Sequence, residues 1–195
     1  MRVLIVYCHP SQKSFTYQVR KNFIRGLEKA EHSWEISDLY QMNFKTDMSE
    51  EEYIREGFYR RDLPVPPDVK KEQEKINWSN AIVFIYPVFW SEAPAKLVGW
   101  FNRVWTYGFA YGENREMNKL ARALVICIAG RTKEDLKKHG HLQSMKNVML
   151  GDRLFERATE KEMIVLDGTA RNDSKLRKKN WKKNLDRIYN LGLNL

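Results

Sequence analysis

Residues 81–112, AIVFIYPVFWSEAPAKLVGWFNRVWTYGFAYG, predict a strand, an aromatic loop and a helix, in that order. The stretch opens with an unbroken apolar run, as in a strand that is buried on both faces. Pro87 lacks the N–H that a sheet ladder requires, so it ends the strand and leaves residues 88–91 as a loop. Pro94 suits the first turn of a helix. The apolar side chains beyond it recur at helical spacing: Leu97, Val98, Phe101, Val104 and Trp105.

The loop at residues 88–91 is the first candidate site. In an open parallel sheet, ligands bind outside the carboxyl ends of the strands, which is where this loop must lie. It places Phe89 and Trp90 directly after a strand-ending proline, where a core tryptophan is not expected. It also carries backbone N–H groups that no strand uses. Flat apolar surface beside free donors is what an aromatic tricycle such as isoalloxazine requires.

Four further apolar or alternating runs predict strands. A helix is expected from Ser14 to residues 26–30, and the last helix from Asn172 to Leu191. Strand, helix and strand within about forty residues predict a right-handed crossover. Strands that alternate with helices predict an α/β three-layer sandwich, with a five-stranded parallel sheet and helices on both faces. The predicted strands are 3–8, 34–39, 81–86, 121–129 and 162–166.

Residues 40–67 are the least regular part of the chain. Ser49 and Glu52 have the spacing of a capping box, which predicts a short helix. Prolines at 64, 66 and 67 predict extended chain before the next helix, at residues 68–78. We expect this excursion to fold onto the rest of the chain, where it would cover a ligand or build an interface.

The composition is that of an ordinary globular protein, with 43 % hydrophobic and 30 % charged residues. No repeat or flexible linker divides residues 1–195, which predicts a single domain. No apolar run has the roughly 20 residues of a membrane helix, and the amino-terminal run is too short for a signal peptide, so a cytoplasmic protein is expected. Cys8 and Cys127 lie in apolar runs, which predicts buried, inert thiols; neither has a metal-ligand spacing, and no metal is expected.

The formal net charge of +9 is compatible with nucleic acid, an acidic membrane surface or anionic small molecules as partners. Residues 175–187 hold seven of the basic side chains. Leu176, Trp181, Leu185 and Ile188 form an apolar stripe in the same stretch, so the solvated face of a docked helix is the simpler interpretation. No nucleic-acid-binding motif accompanies the charge, and nucleic acid is not an expected partner.

Three loops follow predicted strands and should converge on one sheet edge: residues 9–16, 87–91 and 130–141. The first offers the hydroxyls of Ser11, Ser14 and Thr16 and the N–H groups of a helix start, which suit a phosphate. A plain helix cap is an equally good interpretation of Ser14. The loop lacks both GxGxxG and the Walker lysine, so a nucleoside triphosphatase is not expected.

These motifs resemble those of the flavodoxin-like NAD(P)H:quinone oxidoreductases, the DT-diaphorase family and its bacterial relatives. The resemblance covers most of the chain and rests on LIVYCHPSQKSFTY at the first loop, SDLYQMNF at residues 37–44, PVFW at 87–90, and the runs AKLVGWFNRV and FAYG. It implies a flavodoxin-like fold, a flavin cofactor and a homodimer with the active site at the subunit interface. FAD is favoured over FMN, because the excursion resembles that of the members that use FAD.

The resemblance also implies which residues form the site. The first loop of the family binds the flavin phosphate, and its counterparts here are His9, Ser14, Phe15, Thr16 and Tyr17. The second loop lies along the isoalloxazine, and its counterparts are Pro87, Val88, Phe89 and Trp90, with Ser91 adjacent. The loop after the fourth strand meets the pyrimidine end of the flavin, and its counterparts are Ile128, Ala129, Gly130 and Arg131.

Two positions depart from the family pattern. Arg131 replaces a glycine, and a guanidinium there either stabilises negative charge on the reduced flavin or crowds the ring. Leu136 stands where the family has a tyrosine that relays charge during hydride transfer. The nearby histidine of the family corresponds to His141, or to His139 if the gap is placed differently. Arg131 and His141 are the catalytic residues that the resemblance implies.

The implied function is that of a flavin-dependent NAD(P)H dehydrogenase that passes hydride from NAD(P)H, through the flavin, to quinones or similar electrophiles. Azo or nitro reduction is a variant of the same chemistry. The alternative is a flavin-binding ancillary subunit of a transporter, with which the missing tyrosine is compatible. A one-electron carrier fits less well, because flavodoxins are acidic and this chain is basic.

Overall fold

The computed structural model describes residues 1–170 and 172–195. Within them, five strands form a sheet whose neighbours are all parallel, in the order β2-β1-β3-β4-β5. This confirms the predicted parallel sheet. The direction in which the chain adds strands reverses between β1 and β3, so the two central strands flank the topological switch point. The strands are β1 (Arg2–Tyr7), β2 (Ser33–Asp38), β3 (Ala81–Pro87), β4 (Leu120–Ile128) and β5 (Ala158–Leu166).

Helices connect the strands and cover both faces of the sheet, as predicted. Ser14 caps the first helix, and Ser49 forms with Glu52 the capping box that the sequence predicts. The helices are α1 (Phe15–Lys29), α2 (Glu50–Gly57), α3 (Pro67–Trp78), α4 (Ala95–Val104), α5 (Lys133–Lys138), α6 (His141–Lys146) and α7 (Ser174–Leu193). A π-helical segment, Asn147–Arg153, continues α6.

Successive side chains of the central strands point to opposite faces of the sheet. Along β3, Val83 and Ile85 join the apolar cluster that includes α1 and α7, whereas Ile82, Phe84 and Tyr86 join the cluster that includes α3 and α4. All five are at most 2 % exposed. The continuous apolar run in the sequence is therefore explained by a strand that is covered on both faces.

The α1–α7 pair packs at backbone distance. A Cβ atom added at Gly26 would lie 2.2 Å from the carbonyl oxygen of Tyr189, and one added at Gly192 would lie 2.4 Å from that of Phe23. Only glycine permits this approach. On this side of the sheet the helices are thus held by close contact between their backbones.

The excursion at residues 40–67 lies along α4 on the other side of the sheet. Arg103 of α4 is 2 % exposed and donates to Glu52 at 2.6 Å, to Asp68 at 2.6 and 3.0 Å, and to the carbonyl oxygen of Lys45 at 2.8 Å. Its guanidinium also lies 5.2 Å from the ring of buried Phe44. One buried cation therefore ties the excursion, α3 and α4 together.

Two sequence predictions need correction. The segment at 130–141, predicted as a loop, contains α5. Leu136 is the only apolar residue of α5, so the sequence shows no apolar repeat at helical spacing there. The last strand begins at Ala158 instead of Glu162, because its first half is an exposed edge paired with β4 and its polar residues leave no apolar signal. The helical segment at 141–153 was not predicted at all.

Cys8 and Cys127 are free and fully buried, as predicted. Burial raises the pKa of each thiol to about 12, so both stay protonated and unreactive. In the part of the chain that the structure describes, no helix has the length and apolarity needed to cross a membrane. That part also contains no group of three side chains suited to hold a metal ion.

Candidate functional site

The candidate site lies where β3 and β4 end. A cleft of about 430 Å³ opens there, within the size range of small-molecule sites. It unites residues of the predicted second and third loops with two residues from the first turns of α5 and α6. Its lining is Val88, Trp90, Ser91, Ala129, Gly130, Arg131, Leu136 and His141.

The first loop, at the end of β1, leads into a helix start with free donors. Ser14 accepts from the N–H of Tyr17 at 3.0 Å, which caps the helix, and donates to the carbonyl oxygen of Ser11 at 2.9 Å, so its one hydroxyl hydrogen is already used. Within the described residues, the N–H groups of Phe15 and Thr16 have no acceptor. These N–H groups, and not the Ser14 hydroxyl, are thus the donors available to an anion at the positive end of α1.

His9 begins this loop and is half-buried. Its Nδ1 accepts from the N–H of Ser11 at 2.9 Å, so the neutral ring carries its proton on Nε2. Burial lowers the pKa of His9, which favours this neutral form. Below the loop, Tyr7 has a buried hydroxyl without a partner among the described residues. Burial raises the pKa of Tyr7 to about 12, so no negative charge arises there.

The second loop is a two-residue hairpin turn. Phe89 and Glu92 exchange backbone hydrogen bonds of 2.9 and 2.8 Å, and the residues between them, Trp90 and Ser91, have φ of 52° and 66°. Positive φ at both central positions defines a type I′ turn, for which Asn and Gly are normally selected. A tryptophan in this conformation is strained. Trp90 is also fully exposed, at 101 % of its reference area, so neither backbone preference nor burial explains its presence.

The turn fixes which N–H groups can serve a ligand. The sequence suggested Phe89 and Trp90 as donors, but the N–H of Phe89 is bonded to Glu92. Trp90 and Ser91 have N–H groups without an acceptor in the described part of the chain. Arg153 holds the base of the turn by donating to the Glu92 carboxylate at 3.0 Å. The turn is therefore anchored to the π-helical segment and presents two free donors.

The loop after β4 is held by the segment that follows β5. Thr169 donates its N–H and its hydroxyl to the carbonyl oxygen of Ala129, at 3.2 and 2.9 Å. The N–H of Gly168 donates to the carbonyl oxygen of Arg131 at 3.1 Å. Asp167 accepts from the N–H of Lys133 at 2.8 Å. The sequence reading missed these residues, because their hydrogen bonds join segments about 40 positions apart.

Arg131 belongs to a small charged cluster at the mouth of the cleft. Its guanidinium donates to the carboxylate of Asp135 at 3.1 Å, and His139 lies 3.3 Å from the other oxygen of that carboxylate. The rings of His139 and His141 are stacked, with centroids 5.9 Å apart. Only His141 lines the cleft, so of the two candidate histidines it is the one placed to meet a substrate.

Leu136 lines the cleft from α5 and is 3 % exposed. It belongs to the same apolar cluster as α3 and α4. The position that the resemblance aligns with a relay tyrosine thus does lie in the cleft wall, but with no hydroxyl to donate. At this place the cleft is purely apolar.

The predicted site residues divide into two groups. Seven of them line the cleft: Val88, Trp90, Ser91, Ala129, Gly130, Arg131 and His141. The others do not line it. His9, Ser14, Phe15, Thr16 and Tyr17 lie at the neighbouring strand end, where the side chains of Phe15 and Thr16 are buried. Pro87 and Ile128 end β3 and β4 and pair with each other, and Phe89 stands exposed on the turn.

The start of α7 is a further part of this edge that the sequence reading did not assign to the site. Trp181 packs on Phe15, the first residue of α1, with ring centroids 4.4 Å apart, and the guanidinium of Arg177 lies 4.8 Å from the Trp181 ring. Residues 174–180 therefore extend about 10 Å beyond the start of α1. Arg177 and Trp181 line a separate groove of about 430 Å³ on the first half of α7.

Two other cavities are larger than the cleft but lie away from the strand ends. One, of about 580 Å³, is bounded by residues 110–119 and by Glu156 and Arg157. The other, of about 770 Å³, lies beside α3. Charged side chains make up at least half of the lining residues of each, so their size does not make them better candidates.

Sheet order, switch point and cleft together define a flavodoxin-like α/β protein with a ligand site at the carboxyl edge of the sheet. The chain belongs to a protein family that is described as having a flavodoxin-like fold. The match to this family covers residues 1–188.

Its relatives include reductases. It is 44 % identical to the NAD(P)H:quinone oxidoreductase from Methanothermobacter marburgensis, with a TM-score of 0.91, over 100 % of this chain and 95 % of that one. It is 34 % identical over 125 residues to NAD(P)H dehydrogenase (quinone) 1 of Rattus norvegicus, over 56 % of this chain and 45 % of the rat protein. It is 28 % identical over 175 residues to a ribosyldihydronicotinamide dehydrogenase-like protein of Penicillium crustosum, over 76 % and 65 % of the two chains.

The chain thus spans about half to two thirds of the length of these two curated relatives. An FMN-dependent NADH-azoreductase from Bacillus anthracis, in complex with FMN, has a TM-score of 0.62 and is 19 % identical, and so shares the fold alone.

Proposed function

We propose that the chain is a flavin-dependent reductase that transfers a hydride from NAD(P)H to quinones or similar flat electrophiles. The Trp90 turn carries this proposal. A strained, fully exposed tryptophan beside two free N–H groups, at the mouth of a cleft, has no role in holding the fold. It has a clear role as a wall for a planar ring. Similarity to the Methanothermobacter enzyme supports this interpretation.

The residues present fit a flavin. The uncommitted N–H groups of Phe15 and Thr16 and the Nε2 proton of His9 suit its phosphate. The neutral Tyr7 below them adds no opposing charge. The cleft beside them offers apolar walls at Val88 and Leu136. The turn and the α1 start are thus two halves of one site on adjacent central strands.

When bound there, the flavin would supply the hydride transfer between NAD(P)H and the acceptor. Trp90 and Val88 would stack on planar rings and exclude water. The N–H groups of Trp90 and Ser91 would donate to the polar ring edge. Arg131 would offset negative charge near its guanidinium, moderated by its exposed pair with Asp135. His141 would hold a proton for the acceptor from the cleft wall.

On this proposal one cleft serves both substrates in turn, because among the cavities found along the described residues only this cleft is lined by Trp90. We therefore expect ping-pong kinetics, with parallel lines in double-reciprocal plots of initial rate against NAD(P)H at several quinone concentrations. Crossing lines would mean that both substrates bind together and would contradict a shared cleft. NAD(P)H is an intracellular reductant, so a cytoplasmic location is part of the proposal.

FAD is the proposed flavin, because Trp181, which packs on Phe15 where the first loop meets α1, also lines a groove on α7. Arg177 stacked on Trp181 offers a cationic and aromatic platform for an adenine ring. FMN has no adenosine to reach it. Arg177→Ala should therefore weaken FAD binding several-fold and leave FMN binding unchanged. An equal loss for both flavins, or none for either, would favour FMN.

We propose that the protein is a homodimer. Three aromatic side chains on or next to α2, Tyr53, Phe58 and Tyr59, are 64 %, 68 % and 63 % exposed. An exposed apolar patch of this kind marks an interaction surface. Sedimentation velocity should show a dimer that Phe58→Glu converts to monomer. A monomeric native protein would contradict the proposal.

The decisive experiment is an absorbance spectrum of the purified protein, followed by anaerobic addition of NADPH, NADH and then a quinone. Flavin bands that bleach with nucleotide and return with quinone are expected. Return with an azo or nitro compound but not with any quinone would favour that variant chemistry. If the protein holds flavin, but neither NADPH nor NADH bleaches it faster than it bleaches free flavin, the ancillary-subunit alternative is favoured. The observation that supports this alternative is the missing hydroxyl at Leu136.

A further inference from the structure

The basic charge of the protein is concentrated on one face. Helix α1 contains four basic side chains and one acidic side chain, and α7 contains seven and one. The two helices therefore carry a net charge of +9, which equals the formal charge of the whole chain. They pack side by side on the same side of the sheet, with Gly26 against Gly192. The rest of the molecule is neutral overall.

The cations of α7 form a stripe that one exposed acid, Asp186, interrupts. Six exposed side chains recur every three to four positions on the face opposite the buried residues Asn184, Ile188 and Gly192. The stripe is about 18 Å long. Among the described residues, none of the six takes part in an ion pair or a side-chain hydrogen bond. Its members are Lys175, Lys178, Lys179, Lys182, Lys183 and Arg187.

Most of this charge is too far from the site to bind a nucleotide there. Phe15 lies beside Trp181, and both helices run away from the carboxyl edge of the sheet from that point. Lys29 at the end of α1 is about 21 Å from Phe15. This exceeds the Debye length of about 8 Å at physiological ionic strength. The charge on Lys183, Arg187 and Lys29 is therefore not placed to bind a nucleotide at the site.

The chemistry of the stripe indicates a diffuse anionic surface. Five of its six members are lysines, which act as point charges and not as bidentate forks. Exposed large aromatic side chains occur on the turn, on the excursion and at Phe155, and none of those identified lies on α1 or α7. Stacking on single-stranded bases is thus not provided for.

We propose that the α1–α7 face docks on bilayers that contain anionic phospholipid. Clusters of four to eight Lys or Arg on a helix bind such surfaces, with roughly 1 kcal/mol from each residue near the surface. The absence of exposed apolar groups on this stripe makes the contact electrostatic and reversible by salt. The docking itself does not depend on the reductase activity; only its use, access to a lipid-soluble quinone, rests on the proposed function.

Co-sedimentation of the purified full chain with vesicles tests this docking. We expect binding at low salt to phosphatidylcholine vesicles that contain phosphatidylglycerol, no binding to pure phosphatidylcholine, and release at high salt. Lys179→Glu with Lys183→Glu should weaken binding by at least about 30-fold, since two cations are removed and two anions take their place. These two lysines do not line the groove on α7 that contains Arg177 and Trp181.

The matched control is Lys70→Glu with Lys71→Glu, two exposed lysines of α3 on the opposite side of the sheet. It makes the same change in net charge and should leave vesicle binding unaltered. Equal weakening by both double variants, or no binding of the native protein to phosphatidylglycerol, would overturn the proposal. Preference for duplex DNA over vesicles at equal salt would overturn it in favour of nucleic acid.

The two proposals fail separately. A colourless protein that still binds vesicles would refute the flavin function and leave the docking face intact. A competent reductase that ignores anionic vesicles would do the reverse.

Discussion

The two sides of the sheet are held by opposite means. The α1–α7 side places backbone against backbone at Gly26 and Gly192 and leaves the lysines of α7 in solvent. The α3–α4 side buries charge, with Arg103 inside a shell of two carboxylates and a carbonyl oxygen. The difference follows from sequence. Residues 40–67 are poor in aliphatic side chains, so polar contacts must hold this excursion in place, whereas α1 and α7 have apolar stripes that pack directly.

Arg103→Met should have the largest effect on stability, about 3–5 kcal/mol, because it leaves the buried carboxylate of Glu52 without its partner. Chemical denaturation measures it. Arg60→Met is the matched control on the same side of the sheet, since its pair with Asp62 is exposed at both ends. It should cost far less than Arg103→Met, because solvent screens the exposed pair. Similar losses in both variants would mean that burial of the charge does not matter.

Acid should weaken the same network. Hydrogen bonding from Arg103 lowers the pKa of Asp68. A carboxyl with a depressed folded pKa contributes stability that is complete above its unfolded pKa, about 3.9, and is lost as pH falls through the folded pKa. The native protein should therefore lose more stability than Arg103→Met below about pH 4. Denaturation midpoints of the two proteins that fall in parallel on acidification would contradict this.

On the other side, Gly26→Ala should cost about 3 kcal/mol, because its methyl group would collide with the backbone at Tyr189. Alanine is the better helix former by about 1 kcal/mol, so only the helix contact can make the change unfavourable. Gly151→Ala, where the added methyl group meets nothing within 4 Å, is the control. Thermal unfolding of both variants distinguishes them. A neutral Gly26→Ala would show that the two helices can separate without loss.

Two substitutions of Trp90 distinguish the cost of its strained backbone from the contribution of its ring to flavin binding. Trp90→Gly should be about 1 kcal/mol more stable than Trp90→Ala, because only glycine accepts a φ of 52° without cost. Both variants should lose flavin affinity to the same degree, since both lack the ring. Denaturation and flavin titration give the two measurements. Full flavin affinity in Trp90→Ala would remove the ring from the proposed site.

The smallest effect is expected at Leu136. Leu136→Tyr restores a hydroxyl to the cleft wall and should raise the rate of flavin reduction by less than about tenfold. The extra volume should cost about 1 kcal/mol, because the side chain also belongs to the buried cluster. Stopped-flow absorbance gives the rate. Leu142→Tyr, in the same cluster but outside the cleft lining, is the control for packing alone. A rate that stays the same or falls would count against the alignment of Leu136 with the relay tyrosine.

The sequence predicted the elements whose apolar pattern is strong. Strands β1, β3 and β4 are each built around an apolar run of five or more residues, and each was placed to within about a residue or two, the usual tolerance at an element's ends. Helix α5 and the first half of β5 were not predicted, because they are polar and exposed and their conformation depends on the elements packed beside them. The π-helical segment escaped for a related reason, since a five-residue hydrogen-bond period has no familiar apolar spacing.

By itself the sequence determined the parallel sheet, the edge at which the loops meet and the aromatic loop after Pro87, because these follow from local periodicity and from the chemistry of single residues. Tertiary structure alone decided which donors are free. The N–H of Phe89 is bonded to Glu92, and the hydroxyl of Ser14 accepts the capping hydrogen bond. His141, and not His139, lines the cleft. Availability of a hydrogen-bond donor depends on partners that are distant in sequence, and only the folded chain brings them together.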